Sequence, residues 1–223
     1  MRVTDPDFCH YLKTSGMKLT EHYNIPTVKG VHLKNLGKTD LLGFNYCTNP
    51  KMMEEREKAF IHFFLPDHYI ERVWDNLDHY ETIFHMYKGI IQPDCSIYTD
   101  MPKAMQIWQH YRRMWLAQYY QSKDVPVIPA PCWSDEESFN WCFEGMPKGS
   151  ALCISSVGCV KNPYVRVAFN QGLEETLKQL EPSQLIIYGV FDDDMRNRIS
   201  GIPYIHIESE QKQRIKNFQE NSK

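Results

Sequence analysis

The sequence has no long hydrophobic run. No window approaches the roughly 18 consecutive apolar residues of a membrane-spanning helix, and the polar N-terminus is not followed by the apolar segment of a signal peptide. We therefore expect no contact with a membrane and a cytoplasmic location for the protein.

Closely spaced metal-ligand motifs are also missing. The seven cysteines are scattered singly, without a Cys-x-x-Cys pair, and no His-Glu-x-x-His segment is present. Disulfide frameworks and most zinc or iron–sulfur sites use closer cysteine patterns. Cys47, Cys132 and Cys159 each follow a predicted strand, which leaves a shared metal site as an alternative, but we predict no metal. No Walker motif or dinucleotide fingerprint occurs, so no cofactor is assigned.

The sequence also lacks an excess of positive charge. The net charge is -3 and the isoelectric point is about 6.3, which argues against a strongly basic nucleic-acid surface but allows a local basic patch. Aromatic side chains, in contrast, are abundant, with 13 Tyr, 11 Phe and 5 Trp. They are numerous enough to fill a large core and also to offer surfaces on which bases stack.

The chain alternates short apolar strands with longer amphipathic runs. Strands are predicted at residues 40–46, 59–65, 89–91, 94–98, 125–129, 151–155, 184–188 and 203–207. Helical spacing of apolar residues is found at residues 69–87, 102–121, 135–143 and 164–180, the first as one kinked helix or two short ones. This alternation predicts an α/β protein with a mainly parallel sheet built from repeated βα units. We favour an incomplete or distorted βα barrel over a flat doubly wound sheet, and strand order distinguishes the two.

No linker divides the chain into separate folding units. Residues 1–38 lack a strong period, so we interpret them as an N-terminal extension that packs on the domain. Residues 39–208 are predicted to form the single α/β domain, and the polar residues 209–223 to form a C-terminal tail that frays. The acidic run at residues 192–194 is interpreted as a solvated loop.

Polar residues follow most of the predicted strands. In a parallel βα sheet these positions meet at the carboxyl ends of the strands, where ligands bind. The same pattern also arises when loops face water and side chains cap helices. The residues predicted to bind a ligand are Asn45, Tyr98, Arg112, Trp133, Ser134, Ser155, Ser156, Gly158 and Tyr188.

Two carboxylates are the candidate catalytic residues. Asp100 lies between a predicted strand and a helix that begins near Pro102, and Asp135 stands at the start of the next helical run. Each could act as an acid or base, hold a cation or simply cap its helix. Arg112, on the aromatic helix, could clamp a phosphate or carboxylate, or pack its stem and leave its head group at the surface.

Several local strings resemble a known family. They are YTDMP at 98–102, YRRMWLA at 111–117, VIP at 127–129 with WSD at 133–135, and SSVGC at 155–159. Together they resemble an uncharacterised family, domain-of-unknown-function family 4417, which is found in bacteria, phages and plasmids. The resemblance implies a bacterial setting on a mobile element. It implies no particular activity.

Three classes of function follow from these observations. The first is an enzyme-like barrel that acts on a nucleotide or nucleic acid, with Asp100, Asp135 and Arg112 at the ends of the strands. The second is a non-catalytic binding protein, such as a phage factor that inhibits or sequesters a host defence component or assists replication. The third is a structural adaptor whose polar residues only cap helices. The absence of an established catalytic motif leaves all three open.

Overall fold

A computed structural model describes residues 7, 9–160 and 162–209, apart from the side chains of residues 53–55. The described residues form seven strands and five α-helices. The strands are β1 (Asp40–Gly43), β2 (Ala59–His62), β3 (Gly89–Ile91), β4 (Val127–Ile128), β5 (Ala151–Ser155), β6 (Gln184–Tyr188) and β7 (Tyr204–Ile207). The helices are α1 (His68–Asp75), α2 (Leu77–Phe84), α3 (Lys103–Ser122), α4 (Pro163–Leu180) and α5 (Asp193–Arg198).

The strands are parallel and stand in the order in which they occur in the chain. One sheet has the order β1-β2-β3-β4 and the other has the order β5-β6-β7. The Cys153 amide donates to the Pro129 carbonyl at 2.9 Å, which joins the end of β4 to β5. Strictly sequential order is typical of a βα barrel, whereas a doubly wound sheet reverses direction at a switch point. No ladder joins β7 to β1 among the described residues, so the predicted incomplete barrel is confirmed.

Alternate side chains of the strands face two different environments. One buried cluster takes a residue from each of β2 to β6, and Leu41 of β1 and Ile205 of β7 pack against it. Those five members are Phe60, Ile91, Ile128, Cys153 and Ile186. A cluster shared by all seven strands is the filled interior of a barrel, because successive residues of a strand point to opposite faces.

The outward-facing strand residues pack against the helices in two further clusters. Ile61 and Ile90 belong to an aromatic-rich core with α1, α2 and α3. Leu152 and Leu185 belong to a second core with α4 and α5. The helices therefore cover the outside of the strands, as in a βα barrel.

The ends of several elements have local causes. Asn76 has a non-helical backbone, and its side chain bonds back to the Arg72 carbonyl at 3.3 Å, so residues 69–87 form two short helices. Asn162 caps α4 by accepting a hydrogen bond from the Tyr164 amide at 2.9 Å, directly before Pro163.

Some sequence-based predictions were wrong. Residues 94–98 form a loop and not a strand, because the Ser96 amide and hydroxyl bond to the Asp67 carboxylate at 3.3 and 2.8 Å. Their alternating pattern arises because Cys95 and Ile97 are buried in the two different outer cores. Residues 44–46 form a 3-10 helix and not the end of a strand, and the run at 192–194 is not a loop, because it begins α5 with Asp192 as its cap. The helical run predicted at 135–143 is found as a shorter 3-10 helix at residues 136–140.

Residues 31–36 contact the beginnings of several strands. The Val31 carbonyl accepts from the Ala151 amide at 2.8 Å, and the Gln184 side chain bonds to both backbone groups of Leu33 at 2.8 and 3.0 Å. Leu36 packs against the barrel interior. The division at residues 38 and 208 stays a prediction, and residues 210–223 of the predicted tail lie outside the described residues.

Candidate functional site at the barrel mouth

A pocket of about 180 Å³ opens at the carboxyl ends of the strands. We call it the mouth pocket. Its lining comes from the segments that follow β2, β3, β4 and β5 and from the first turns of α4. The lining residues are Phe64, Asp94, Pro131, Cys132, Trp133, Ser134, Ser155, Val157, Cys159, Val165, Ala168 and Phe169.

Asp94 is the only carboxylate among these lining residues. Its side chain is 26% exposed, and its Oδ1 lies 3.7 Å from Nη2 of Arg113, whose side chain is 1% exposed. Burial raises the pKa of Asp94, and the charge of Asp67 raises it further. The Arg113 charge and a hydrogen bond from the Cys132 thiol lower the pKa without reversing this shift. Asp94 is therefore a carboxyl group that favours its neutral form more than an ordinary aspartate does.

Arg113 reaches Asp94 from the inner face of α3. Its guanidinium donates to the Ala130 carbonyl through Nη2, while Nε has no hydrogen-bond acceptor among the described residues. A buried guanidinium with few acceptors favours the ionised form of a nearby carboxyl group, and the Arg113 charge accordingly opposes the effect of burial on the pKa of Asp94. The pair thus couples the position of α3 to the floor of the mouth pocket.

The neighbouring thiol is poorly suited to nucleophilic attack. Burial, followed by the charge of Asp94, raises the pKa of Cys132 well above its ordinary value. Burial also raises the pKa of Cys159 to about 11. Both groups are thiols at neutral pH, and nucleophilic cysteines need the opposite shift.

Trp133 forms one wall of the pocket by packing directly on α4. A Cβ atom on Gly172 would lie 2.0 Å from Nε1 of Trp133, so only glycine leaves room for this ring. The indole donates to the Ala168 carbonyl at 3.2 Å, and its ring centre lies 5.8 Å from that of Phe169. The wall is therefore aromatic and fixed in orientation.

The serines predicted to bind ligand have different positions. Ser134 and Ser155 line the pocket, and the Ser134 hydroxyl donates to Oε1 of Gln106 at 2.9 Å. Ser156 is buried and donates to the Val190 carbonyl at 2.6 Å, so it fixes the loop after β5. Gly158 has φ of 82°, a left-handed turn conformation that suits glycine.

Tyr188 and Asn45 lie near the same end of the strands but do not line the pocket. The Tyr188 ring is buried, with centroid distances of 4.4 Å to His62 and 5.4 Å to Phe64. Oδ1 of Asn45 is buried without a hydrogen-bond partner among the described residues. Tyr188 supports Phe64, which does line the pocket.

The remaining predicted residues lie outside the pocket. Asp100 and Tyr98 are exposed, and no described residue bonds to the Asp100 carboxylate. Asp135 is exposed and caps a 3-10 helix by accepting from the Ser138 amide at 3.0 Å. Arg112 pairs with Glu71 through two bonds of 2.8 and 2.7 Å. A catalytic role for Asp100 and Asp135 and a binding role for Arg112 stay predictions.

The sequence-based reading did not single out Asp94 or Arg113 as an acid–base pair. Pro93 stands two residues after the end of β3, and a proline at such a position indicates that a strand has ended. That position would have indicated Asp94 as a residue at the carboxyl end of β3. No sequence pattern shows that Arg113 faces it.

The part of the chain that the structure describes contains neither a metal-ligand cluster nor a membrane-spanning helix. No group of three or more His, Cys, Asp or Glu side chains in this part of the chain is arranged to hold a metal ion. Within the same residues, no helix combines the length and apolar character needed to cross a bilayer.

Comparison with known proteins identifies the family. The sequence profile of the domain of unknown function DUF4417 matches residues 17–206. The chain belongs to this family. The resemblance inferred from the local strings is thereby confirmed.

The curated relatives are phage proteins. A "Gene 1 protein" of Mycobacterium phage L5 is 36% identical over 129 residues, which cover 58% of this chain and 56% of the relative. The protein of the same name from Mycobacterium phage D29 is 35% identical over 137 residues, or 60% and 51% of the two chains. The chain thus spans about half the length of the curated relatives it matches. These relatives support a mobile-element protein, and no solved structure matches the chain.

Proposed function

We propose that this protein is an enzyme-like βα barrel that binds a nucleobase-bearing ligand in the mouth pocket. The observation that carries the proposal is Asp94, a carboxyl group with a raised pKa that lines a pocket at the carboxyl ends of the strands. Carboxyl groups shifted in this way are enriched at sites that exchange protons with a ligand. Asp100 and Asp135 lie outside the pocket, and this proposal gives them no role in ligand binding.

The size and walls of the pocket favour a flat ring. Its volume of about 180 Å³ is below the roughly 300 to 1,000 Å³ of pockets for drug-sized ligands. It therefore suits a small molecule or one ring system of a larger one. Phe64, Trp133 and Phe169 supply aromatic surface, and proteins that bind a single extruded base hold it between such side chains.

Asp94 supplies the complementary polar edge. A neutral carboxyl group both donates and accepts a hydrogen bond, which matches the adjacent donor and acceptor atoms on the edge of a nucleobase. The ionised form only accepts. Ligand binding is therefore expected to weaken as the pH rises through the raised pKa of Asp94, a group that faces Arg113, Asp67 and Cys132.

The test combines two changes at Asp94 with a matched control. Asp94→Ala should weaken binding of nucleoside monophosphates at least tenfold in calorimetric titrations at acidic pH. Asp94→Asn keeps a neutral donor and acceptor, so it should retain the affinity and remove its pH dependence. Asp100→Asn, a carboxylate change outside the pocket, should behave as the wild type. The Trp133 indole resonance, assigned with Trp133→Phe, should shift on titration.

Two outcomes would count against the proposal. One is a wild-type protein that binds none of the common nucleoside monophosphates between acidic and neutral pH. The other is an Asp94→Ala variant with wild-type affinity, which would mean that the ligand does not use this carboxyl group.

A protein partner is the second candidate function. Tyr164 and Val167, near the start of α4, are 87% and 58% exposed, and exposed apolar residues of this kind mark interaction surfaces when they cluster. A binding protein that inhibits or sequesters a host defence component, or assists replication, would use such a surface. A host protein retained by the wild type and lost from Tyr164→Asp, with nucleotide binding intact, would favour this candidate.

A further inference from the structure

A second and larger concavity lies between the N-terminal segment and α3. We call it the basic groove. It has a volume of about 1000 Å³ and is lined by residues 13, 15–18, 20 and 27–29, by residues 118, 119 and 121–123 at the end of α3, and by residues 145 and 146. The residues at the end of α3 that line the basic groove precede β4 in the chain. The mouth pocket is instead lined by residues that follow β4.

The groove carries charge of one sign. Its lining includes Lys13, Lys18, Lys29 and Lys123, and no aspartate or glutamate is among the described residues that line it. All four lysines are exposed. This concentration of cations contrasts with the net charge of -3 of the whole chain.

Two acidic side chains near the groove already have partners. Glu81 lies 3.4 Å from Nζ of Lys123. Glu144 accepts from the Thr20 hydroxyl and from the Tyr23 amide. For Lys13, Lys18 and Lys29, no ion pair is found with a described residue, so their charges are available to an external anion.

Side-chain amides hold the two walls of the groove together. Nε2 of Gln118 donates to the carbonyls of Lys18 and Thr27 at 2.9 and 2.6 Å. Gln121 accepts from the Lys29 amide and donates to its carbonyl, at 2.8 and 2.9 Å. The backbone that carries the lysines is thereby fixed to α3, so the groove is a built feature of the fold.

We infer that the basic groove binds the phosphate backbone of a single-stranded nucleic acid. Lysines spread along a groove follow successive phosphates as point charges, whereas recognition of one compact phosphate group favours bidentate arginine. The phosphates of a duplex lie on a wide, stiff rod, which does not fit inside a groove of about 1000 Å³. A flexible single strand does.

The inference does not depend on what the mouth pocket binds, because none of the lining residues is shared. The test uses fluorescence polarisation with a labelled mixed-sequence DNA strand of about 12 nucleotides. Each neutralised phosphate of a single strand contributes about 0.7 to the slope of log affinity against log salt, so Lys13, Lys18 and Lys29 predict roughly a 20-fold loss between about 50 and 200 mM salt.

The matched variants carry the same change in charge. Lys13→Gln with Lys18→Gln and Lys29→Gln should lower the affinity at least tenfold and flatten the salt dependence. The control, Lys51→Gln with Lys58→Gln and Lys178→Gln, removes three lysines elsewhere and should bind as the wild type does. The groove variant should still bind nucleoside monophosphates as the wild type does, because the two sites share no lining residue, which separates failure of the mouth pocket from failure of the groove. Thermal unfolding of each variant checks that it is folded.

Three results would overturn the inference. The first is a wild-type protein that does not bind the strand at about 50 mM salt, where electrostatic binding is strong. The second is an equal loss of affinity in the groove variant and the control. The third is binding of heparin or of phosphatidylserine vesicles with the affinity of the strand or better, which would assign the groove to polyanions in general or to a membrane surface.

Discussion

The barrel mouth and the loops outside it carry carboxylates in different environments. Asp94, which follows β3, is mostly enclosed, and its pKa is raised by burial. Asp100 and Asp135 are exposed, although each lies in a segment that follows a strand, β3 and β4 respectively. Position after a strand therefore does not make a carboxylate a chemical group with unusual properties. The residues of other elements that pack around a carboxylate determine how strongly it is buried.

For Asp94, that contribution comes from α3 and from the segment after β4. Burial between these elements raises the pKa of Asp94, although Arg113, a buried positive charge, and Cys132, a hydrogen-bond donor, each lower it. Asp135 instead uses its carboxylate locally, as a cap for the Ser138 amide. The first carboxylate is coupled to the tertiary structure, whereas the second stabilises one turn of the chain.

The largest effect is expected when Arg113 is replaced by methionine. The Arg113→Met change removes the charge that lowers the pKa of Asp94 and leaves the Ala130 carbonyl without this donor. Loss of one partner from a buried ion pair typically costs about 3 to 5 kcal/mol, and the 26% exposure of the Asp94 side chain places the loss near the lower limit. Urea unfolding at neutral pH should show a decrease of about 3 kcal/mol in the free energy of unfolding.

The decrease in the free energy of unfolding caused by Arg113→Met should depend on pH. Without Arg113 the pKa of Asp94 rises further, so the folded state keeps a proton that the unfolded state releases. The deficit of the variant should therefore grow as the pH increases and shrink in acid. Arg112→Met is the control, because its partner Glu71 is 50% exposed and returns to water. A deficit of Arg113→Met that does not change with pH would mean that the two groups are not coupled.

The sequence predicts the architecture well because hydrophobic periodicity reports burial. The strands at 151–155 and 184–188 and the helix at 164–180 are close to β5, β6 and α4. Strand order is not encoded in local periodicity, and it became visible only through the ladders and the shared interior cluster. The misassigned strand at 94–98 shows the limit, since alternating burial also arises in a loop between two cores.

The candidate site was only partly predictable, for a related reason. Trp133, Ser134 and Ser155 were singled out by position and do line the pocket. The mid-helix residue Gly172 gives no indication in the sequence that it makes room for Trp133, because the contact joins residues far apart in the chain. Arg113 was equally ambiguous beside Arg112, since either could have faced the barrel.

A smaller effect is expected at Asp135. Replacement by alanine removes the side-chain acceptor of the Ser138 amide at the start of the 3-10 helix. Loss of such a cap typically costs about 1 kcal/mol, so Asp135→Ala should lower the free energy of unfolding by about that amount. The variant Asp135→Asn retains an acceptor and should recover most of the loss in the same urea titration. Equal losses for both variants would show that charge, and not capping, is the contribution of Asp135.

The smallest effect is expected at Asp100. Its side chain is exposed and has no hydrogen bond to a described residue, so Asp100→Ala should change the free energy of unfolding by less than about 0.5 kcal/mol. Nucleotide affinity should also be unchanged, because Asp100 is not part of the lining of the mouth pocket. A large loss of affinity without a loss of stability would instead place the ligand across the outer loops. In that case Asp100, and not Asp94, would be the carboxylate through which the barrel recognises its ligand.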